Sequence, residues 1–241
     1  MRKSISIVLL VALSLSFNGC SDSTTAVSSD DGTITHNGVF YKTVTSPYTS
    51  KVWLDRNLGA SQVCTALDDE ACYGDYYQWG RATDGHENNT SSNTIDDALA
   101  INLDVGHGNF ILNSTSPSDW TALSLDDNGS LRAINWSKID GSSVCPVGYR
   151  VPTEQELRDE ILDNNATIVN NIEAYNNFLK LPSAGNRNYD DGSLTYQGSG
   201  GIVWSSSVTS AYSHYLDFSS SNASTNLNFR AYGFSVRCLK D

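Results

Sequence analysis

Along the chain the hydrophobic positions form one apolar block at the start and then break into short alternating runs. Ile5 to Phe17 is apolar apart from serines and follows Met1-Arg2-Lys3. That is the layout of an export signal, and the block is too short for a permanent membrane-spanning helix. Residues 21 to 31 carry almost nothing to bury and read as a flexible tether. Beyond Gly32 the period is two. Thr33 to His36 and Val39 to Thr45 flank Asn37-Gly38, the pair that reaches positive φ most easily, so a hairpin is expected, followed by a strand over Lys51 to Asp55. Gly201 to Ser206, His214 to Phe218, Leu227 to Phe229 and Phe234 to Leu239 alternate in the same way and predict further strands.

Helical spacing occurs twice. Thr153 and Glu156 form a capping-box pattern, with Leu157 and Ile161 one turn apart on the buried face and Asp159, Glu160 and Asp163 towards solvent. A second helix is expected over Thr167 to Leu179, burying Ile168, Ile172, Tyr175, Phe178 and Leu179 and stopping before Pro182. Residues 56 to 135 are broken by Gly and Asn and read as mostly irregular, apart from an aromatic-rich segment at Tyr73 to Trp79. A connection that long is where a binding surface is expected. The pattern shows no internal repeat. It predicts one α+β domain over 33–241, with short mixed or antiparallel strands, two helices and long loops.

Composition narrows the partners. The chain has 241 residues, 39% hydrophobic and 17% charged, which suits a folded body. Its net charge of −12 repels phosphate, so nucleic acid is excluded and cations or neutral polar ligands are favoured.

The cysteines set the compartment. Phe17-Asn18-Gly19-Cys20 resembles a bacterial lipobox. The resemblance implies a signal peptide over 1–19, cleavage before Cys20, a lipid on Cys20 that holds the chain to a bilayer, and a tether over 20–32. Ser21 after the cysteine implies the outer membrane, facing periplasm or exterior. Cys64, Cys72, Cys145 and Cys238 remain, an even number in an exported chain, and three connectivities are open. The simplest closes the short loop from Cys64 to Cys72 and leaves Cys145 to join Cys238 near the C-terminus. Zinc is disfavoured, because there is no Cys-x-x-Cys pair and the histidines are scattered.

Few residues offer chemistry. His36, His86, His107 and His214 have no obvious nucleophile beside them and read as structural or surface residues. Gly198-Ser199-Gly200-Gly201 reads as a turn, and Arg150 and Arg237 as partners for Asp55 or Glu156. Asp126-Asp127-Asn128-Gly129-Ser130 and Asp190-Asp191-Gly192-Ser193 carry the oxygens that Ca2+ takes. Asp126, Asp127, Asn128, Asp190 and Asp191 are therefore the metal candidates, although turn formation is the commoner use of such runs and the EF-hand spacing is absent. Trp53, Trp79 and Trp204 are assigned to the core. Trp120, Tyr189 and Tyr196 are the aromatic residues left to stack on sugars.

Several segments occur in a recognisable order: Val52-Trp53-Leu54-Asp55-Arg56-Asn57-Leu58-Gly59-Ala60, Tyr73-Gly74-Asp75-Tyr76-Tyr77-Gln78-Trp79-Gly80-Arg81, Cys145-Pro146-Val147-Gly148-Tyr149-Arg150-Val151-Pro152-Thr153, Leu181-Pro182-Ser183-Ala184-Gly185, Trp204-Ser205-Ser206-Ser207 and Gly233-Phe234-Ser235-Val236-Arg237-Cys238. Together they resemble the Fibrobacter succinogenes major paralogous domain, over about residues 33 to 241. The resemblance implies a C-type-lectin-like fold, the group that includes formylglycine-generating enzymes, with the two chain ends meeting in one sheet. It brings no established activity, and the reactive cysteine segment of the oxidase branch has no counterpart here. The expectation is a non-catalytic cell-envelope module whose loops bind glycan or protein. A glycan-modifying enzyme, which needs a carboxylate pair and a cleft, and a purely structural envelope protein are the alternatives.

Overall fold

The C-terminal strand is the last piece of the sheet that closes the molecule. In the computed structural model, which describes residues 32–95, 103–122, 124–163 and 168–241, Leu239–Lys240 lies between Val52–Leu54 and Tyr149–Arg150, with Thr43–Thr45 outside Val52–Leu54. All these pairings are antiparallel, and Leu239 faces both Trp53 and Arg150 across the strands. The export signal, Cys20, the tether before Gly32 and the Thr167 start of the second expected helix lie outside the described residues.

The architecture is α+β with mostly antiparallel strands. Ile34–His36 and Val39–Tyr41 form the expected hairpin, and Asn37 and Gly38 both take positive φ, 47° and 76°, as a tight turn of this hand requires. Gly201–Thr209, Tyr212–Phe218 and Ala223–Asn228 make a three-stranded sheet. A second four-stranded sheet has the order Leu194–Thr195, Asn186–Arg187, Gly233–Phe234, Tyr77–Gln78. The run expected as one strand from Phe234 to Leu239 is divided between two sheets. Between them Ser235 bridges to Val203, and the Val236 carbonyl accepts from the Leu58 amide at 2.9 Å.

Three short helices are present among the described residues, against two expected. The capping box holds: Thr153 Oγ1 accepts from the Glu156 amide at 3.3 Å, and the Thr153 amide donates to Glu156 at 2.9 Å. The helix Glu154–Arg158 then widens into a π-turn over Asp159–Asp163. That turn changes the angular step per residue, and Glu160, expected in solvent, is fully buried. There it accepts from the Ser46 and Thr49 hydroxyls and from Trp53 Nε1. The next helix is only Asn171–Asn176, because Asn170 caps it by accepting from the Glu173 amide at 3.0 Å. Starting there, the helix turns Ile172 outward, 56% exposed, and not inward as the longer helix predicted. The unexpected helix is Ser130–Trp136, which buries Arg132 and Trp136 one turn apart.

Two large apolar clusters fill most of the interior, with two smaller ones around Cys64–Cys72 and around Ile111 and Trp120. One of the large clusters gathers Trp79, Trp136, Trp204, Phe234 and both Cys145 and Cys238; the other gathers Trp53, Leu157, Ile161, Leu179, Leu216, Phe218 and Leu239. Trp53, Trp79 and Trp204 are core residues, as their positions suggested.

Both disulfides are present in the simplest connectivity, with Cα–Cα distances of 5.1 Å for Cys64–Cys72 and 5.9 Å for Cys145–Cys238. The bridges close loops of 8 and 93 residues in sequence separation. Loop-closure entropy ranks them: removing Cys145–Cys238 by a double Ser substitution is expected to cost about 4–5 kcal/mol, and removing Cys64–Cys72 about 2–3 kcal/mol. Urea unfolding of the two variants checks the order, and equal losses would contradict it.

Candidate functional site

Five arginines, Arg81, Arg132, Arg187, Arg230 and Arg237, are buried among the described residues. A buried guanidinium must find acceptors for its donors, and here the acceptors belong to loops. Arg132 grips Asp119 with two bonds at 2.6 and 2.7 Å, reaches Asp126 at 3.0 Å, and stacks between Trp79 and Trp120. Arg230 lies beside it, donating to the Ser210 carbonyl at 2.6 Å, the Asp127 carbonyl at 2.9 Å and Asp119 at 3.3 Å. Gly129 leaves room for it, since a Cβ there would lie 2.6 Å from Arg230 Nη2. Arg187 has only neutral acceptors: the Ser91 carbonyl at 2.6 Å, Asn93 Oδ1 at 2.7 Å and the Asn88 carbonyl at 3.0 Å, above the Phe110 ring. Burial draws its pKa down to about 10, which leaves it charged at neutral pH.

These clamps position a continuous run of rings. Tyr212 contacts Phe229 at 5.6 Å between centroids, Phe229 contacts Tyr189 at 5.4 Å, and Tyr189 contacts Tyr232 at 4.6 Å. From Tyr232 the run continues through Phe234 at 5.2 Å to Tyr215 at 5.3 Å and to buried Trp204 at 4.1 Å. Tyr189, Tyr215, Phe229 and Tyr232 are half-buried, and Tyr212 and Tyr196 are exposed, Tyr196 at 69%. Burial, and then the charges of Tyr189, Asp190, Tyr196 and Tyr215, push the Tyr232 hydroxyl up to about 12. At the Tyr215 end, Asn226 Nδ2 donates to Asp217 at 2.8 Å. The result is an aromatic face with an amide and carboxylate rim.

Of the rings left for stacking by the sequence, Tyr189 lies in this run, whereas Tyr196 is exposed and is not among its ring contacts. Trp120 is a correction: its ring is wholly buried, its Nε1 donates to the Trp79 carbonyl at 2.8 Å, and Arg132 covers it, so it presents no surface to a ligand. Tyr212, Tyr215, Phe229 and Tyr232 were missed. Their half-exposure arises from contacts between distant loops, which alternation alone does not reveal.

Of the calcium candidates, the Asp126-Asp127-Asn128 run is corrected in the same way. Asp126 is buried and accepts from the amides of Leu131 and Arg132, both at 3.1 Å, and from the Arg132 guanidinium. Asp127 accepts from the Ser124 amide at 2.6 Å and Asn128 from the Ser130 amide at 3.0 Å. The run organises the start of the Ser130–Trp136 helix, and two guanidinium groups beside it would repel Ca2+. Asp191 accepts from the Ser193 amide and hydroxyl at 2.9 and 2.7 Å, the pattern of a turn. Asp190 is exposed and forms no ion pair among the described residues.

One cluster of three potential metal ligands does appear among the described residues: Asp84, His86 and Glu87. His86 is buried and its Nε2 accepts from the Gln78 amide at 3.0 Å, so the proton sits on Nδ1 and is donated to Asp84 at 2.7 Å, with Glu87 3.3 Å away. A metal would need the Nδ1 lone pair that this tautomer lacks. Burial holds His86 at about 4, neutral at physiological pH. The other histidines serve structure: His36 bonds the Val144 carbonyl at 2.7 Å, His214 pairs with Glu154 at 2.7 Å, and His107 accepts from the Asn109 amide at 3.2 Å. Arg150 holds Glu156 with two bonds at 2.7 and 2.8 Å, as expected. Arg237 departs from expectation, donating to Asn57 Oδ1 and the Leu179 carbonyl and to no carboxylate.

The chain matches no protein-family model, no curated protein and no solved structure.

One carboxylate stands apart energetically. Asp75 lies against Gly59, and burial, reinforced by the charge of Glu87, pushes it up to about 6. The native state thus holds this proton more tightly than the unfolded chain, so Asp75 opposes folding at pH 7 and ceases to do so as pH falls from about 6 to about 4. Asp75→Asn is expected to be more stable than the parent at pH 7, with the difference gone near pH 4. Urea unfolding at both pH values checks this, and an advantage that persists at the lower pH would refute the assignment.

Proposed function

We propose that the protein is a non-catalytic binding module of the cell envelope, carried on a lipid at Cys20 in the outer membrane and presenting the tyrosine face to glycan. The observation that carries this reading is the stretch of partly exposed rings from Tyr212 through Phe229 and Tyr189 to Tyr232, backed by buried Phe234 and Trp204. Aromatic rings packed from behind offer flat apolar surface to the C–H faces of sugars, while amides and carboxylates at the edge accept or donate to hydroxyls. A C-type-lectin-like arrangement, and with it membership of the Fibrobacter succinogenes major paralogous domain family, is supported by chain ends that meet in one sheet and by long clamped loops. The envelope location is supported by the lipobox-like segment and two disulfides. The non-catalytic reading is supported by histidines that are all held in structural bonds.

The test is a glycan array with the purified full chain, followed by titration of the best hit. Tyr212→Ala is expected to weaken binding roughly tenfold, about 1.4 kcal/mol, with little change in melting temperature because the ring is exposed. A chelator is expected to leave affinity unchanged. A blank array, or binding that Tyr212→Ala leaves intact, would overturn the reading. Loss on chelation would show that a metal, and not the rings, organises the site.

A further inference from the structure

The longest strands of the molecule, Gly201–Thr209, Tyr212–Phe218 and Ala223–Asn228, form one sheet whose two edges are treated differently. The outer side of Gly201–Thr209 is covered: Gly201 bridges to Gly185 and Val203 to Ser235, and the Ser206 amide donates to the Pro152 carbonyl at 2.8 Å. The outward backbone groups of Ala223–Asn228 have no hydrogen-bond partner among the described residues. Bare edges are normally blunted by charge, proline, a bulge or a covering loop, because unpaired amides and carbonyls template another strand. Here Ser219 to Phe229 carries no charge, proline or glycine, and the register with Tyr212–Phe218 runs without a bulge from Ser213–Asn228 to Phe218–Ala223. The charged groups that touch the strand are already engaged within the chain. Asp217 accepts from Ser224 Oγ and Asn226 Nδ2, while Glu154 and Arg158, which both bond Thr225 Oγ1, pair with His214 and Asp163.

We infer that this edge pairs antiparallel with the same edge of a second copy of the chain, joining the two three-stranded sheets across a twofold axis at Thr225; the inference goes beyond the glycan reading and does not depend on it. The register follows from the turn. The Ser219 amide donates to the Asn222 carbonyl at 2.8 Å, and bonded and non-bonded pairs alternate along an antiparallel ladder. Ser224, Asn226 and Asn228 therefore bond inward to Asp217, Tyr215 and Ser213, while Ala223, Thr225 and Leu227 turn their amides and carbonyls outward. Setting Thr225 opposite Thr225 uses all three positions. Ala223 then faces Leu227 at each end, and about six bonds form, more than in any shifted register. The side chains agree with that register. Leu227 is 44% exposed in a strand of otherwise small or polar residues, and it meets the small Ala223 of the second copy, while Ser224 meets Asn226. Two chains of net charge −12 repel one another, and an uncharged edge is where they approach at least electrostatic cost. An extended segment of another protein would use the same backbone groups but would leave the match of Ala223 to Leu227 without a reason.

The experiment is sedimentation velocity on the full chain, in detergent micelles held in excess over protein, from about 1 to about 100 μM, the range of a small reversible interface. Monomer is expected at the low end and dimer at the high end. Leu227→Lys, which places a charge on the edge, is expected to raise the dissociation constant at least about tenfold, with folding unchanged because the side chain is exposed. Leu131→Lys, at a comparably exposed aliphatic residue on the helix Ser130–Trp136, is expected to leave it within about twofold. Position is read by cross-linking. Thr225→Cys is expected to give a disulfide-linked dimer on mild oxidation, since the facing Cα atoms lie about 5.5 Å apart. Ser221→Cys is not, because its two copies stand about 27 Å apart at about 3.4 Å per residue. Monomer at every concentration, a dimer that Leu227→Lys leaves intact or that Leu131→Lys dissociates equally, or a folded Thr225→Cys chain that cross-links no more readily than Ser221→Cys overturns the inference. Should Thr225→Cys fail to fold, Leu227→Lys against Leu131→Lys decides. None of these outcomes bears on glycan binding, which the array tests separately.

Discussion

The fold depends on guanidinium groups placed where water cannot reach them. Arg132 is the clearest case: its side chain is fully buried between two tryptophans, and its charge is tolerated because Asp119 and Asp126 meet it at hydrogen-bonding distance. Removing one partner of such a group leaves the other charge unbalanced in a poor solvent for it, a penalty of roughly 3–5 kcal/mol. The network therefore acts as a constraint on conformation. Segments around 119, 126 and 132 can adopt only those arrangements that satisfy every donor. Arg230 extends the same logic to 210 and 230, and Arg187 to 88–93 and 192.

This explains how so much irregular chain can display a defined surface. Regular strands here are mostly two or three residues long, too short to orient the loops by ladder bonds alone. Side-chain donors to backbone carbonyls replace the missing ladders. The closing sheet and the Cys145–Cys238 bridge then prevent the ends of the chain from separating. The tyrosine face is assembled from residues 189 to 232, which lie on three of the clamped segments, so its geometry is a consequence of the buried charges behind it.

What the sequence reveals is what local chemistry decides. The Asn37-Gly38 turn, the Thr153–Glu156 box, the short Cys64–Cys72 loop and the core tryptophans 53, 79 and 204 depend on residues close together or on large apolar side chains. Trp120 looked available because it lies outside the ordered segments that hold Trp53, Trp79 and Trp204, yet its neighbour Asp119 is one jaw of the Arg132 clamp. Asp126 looked like a calcium ligand because the same oxygens that coordinate a cation also cap a helix, and only the position of Arg132 distinguishes the two uses. Glu160 and Ile172 exchanged faces with expectation because a π-turn and an asparagine cap reset the helical phase. Tyr212, Tyr215, Phe229 and Tyr232 were hidden for a related reason: partial exposure is a property of loop packing at long range.

The same allocation of charge connects architecture to recognition. Arginine suits buried sites because its planar fork can satisfy several carbonyls at once, and this chain has placed five of its cations there. Five carboxylates, Asp55, Glu87, Asp119, Asp126 and Glu160, are buried as well, so the acidic balance of the composition is left outside with few exposed cations among the described residues. The interior requirement for donors and the exterior shortage of positive charge are thus one fact seen from two sides. A surface shaped in this way repels phosphates, sulfates and uronates by field alone, while its aromatic residues still offer apolar area to ring faces. Which ligands this surface disfavours follows from how the fold solved its loop problem, before any individual contact on the face is considered.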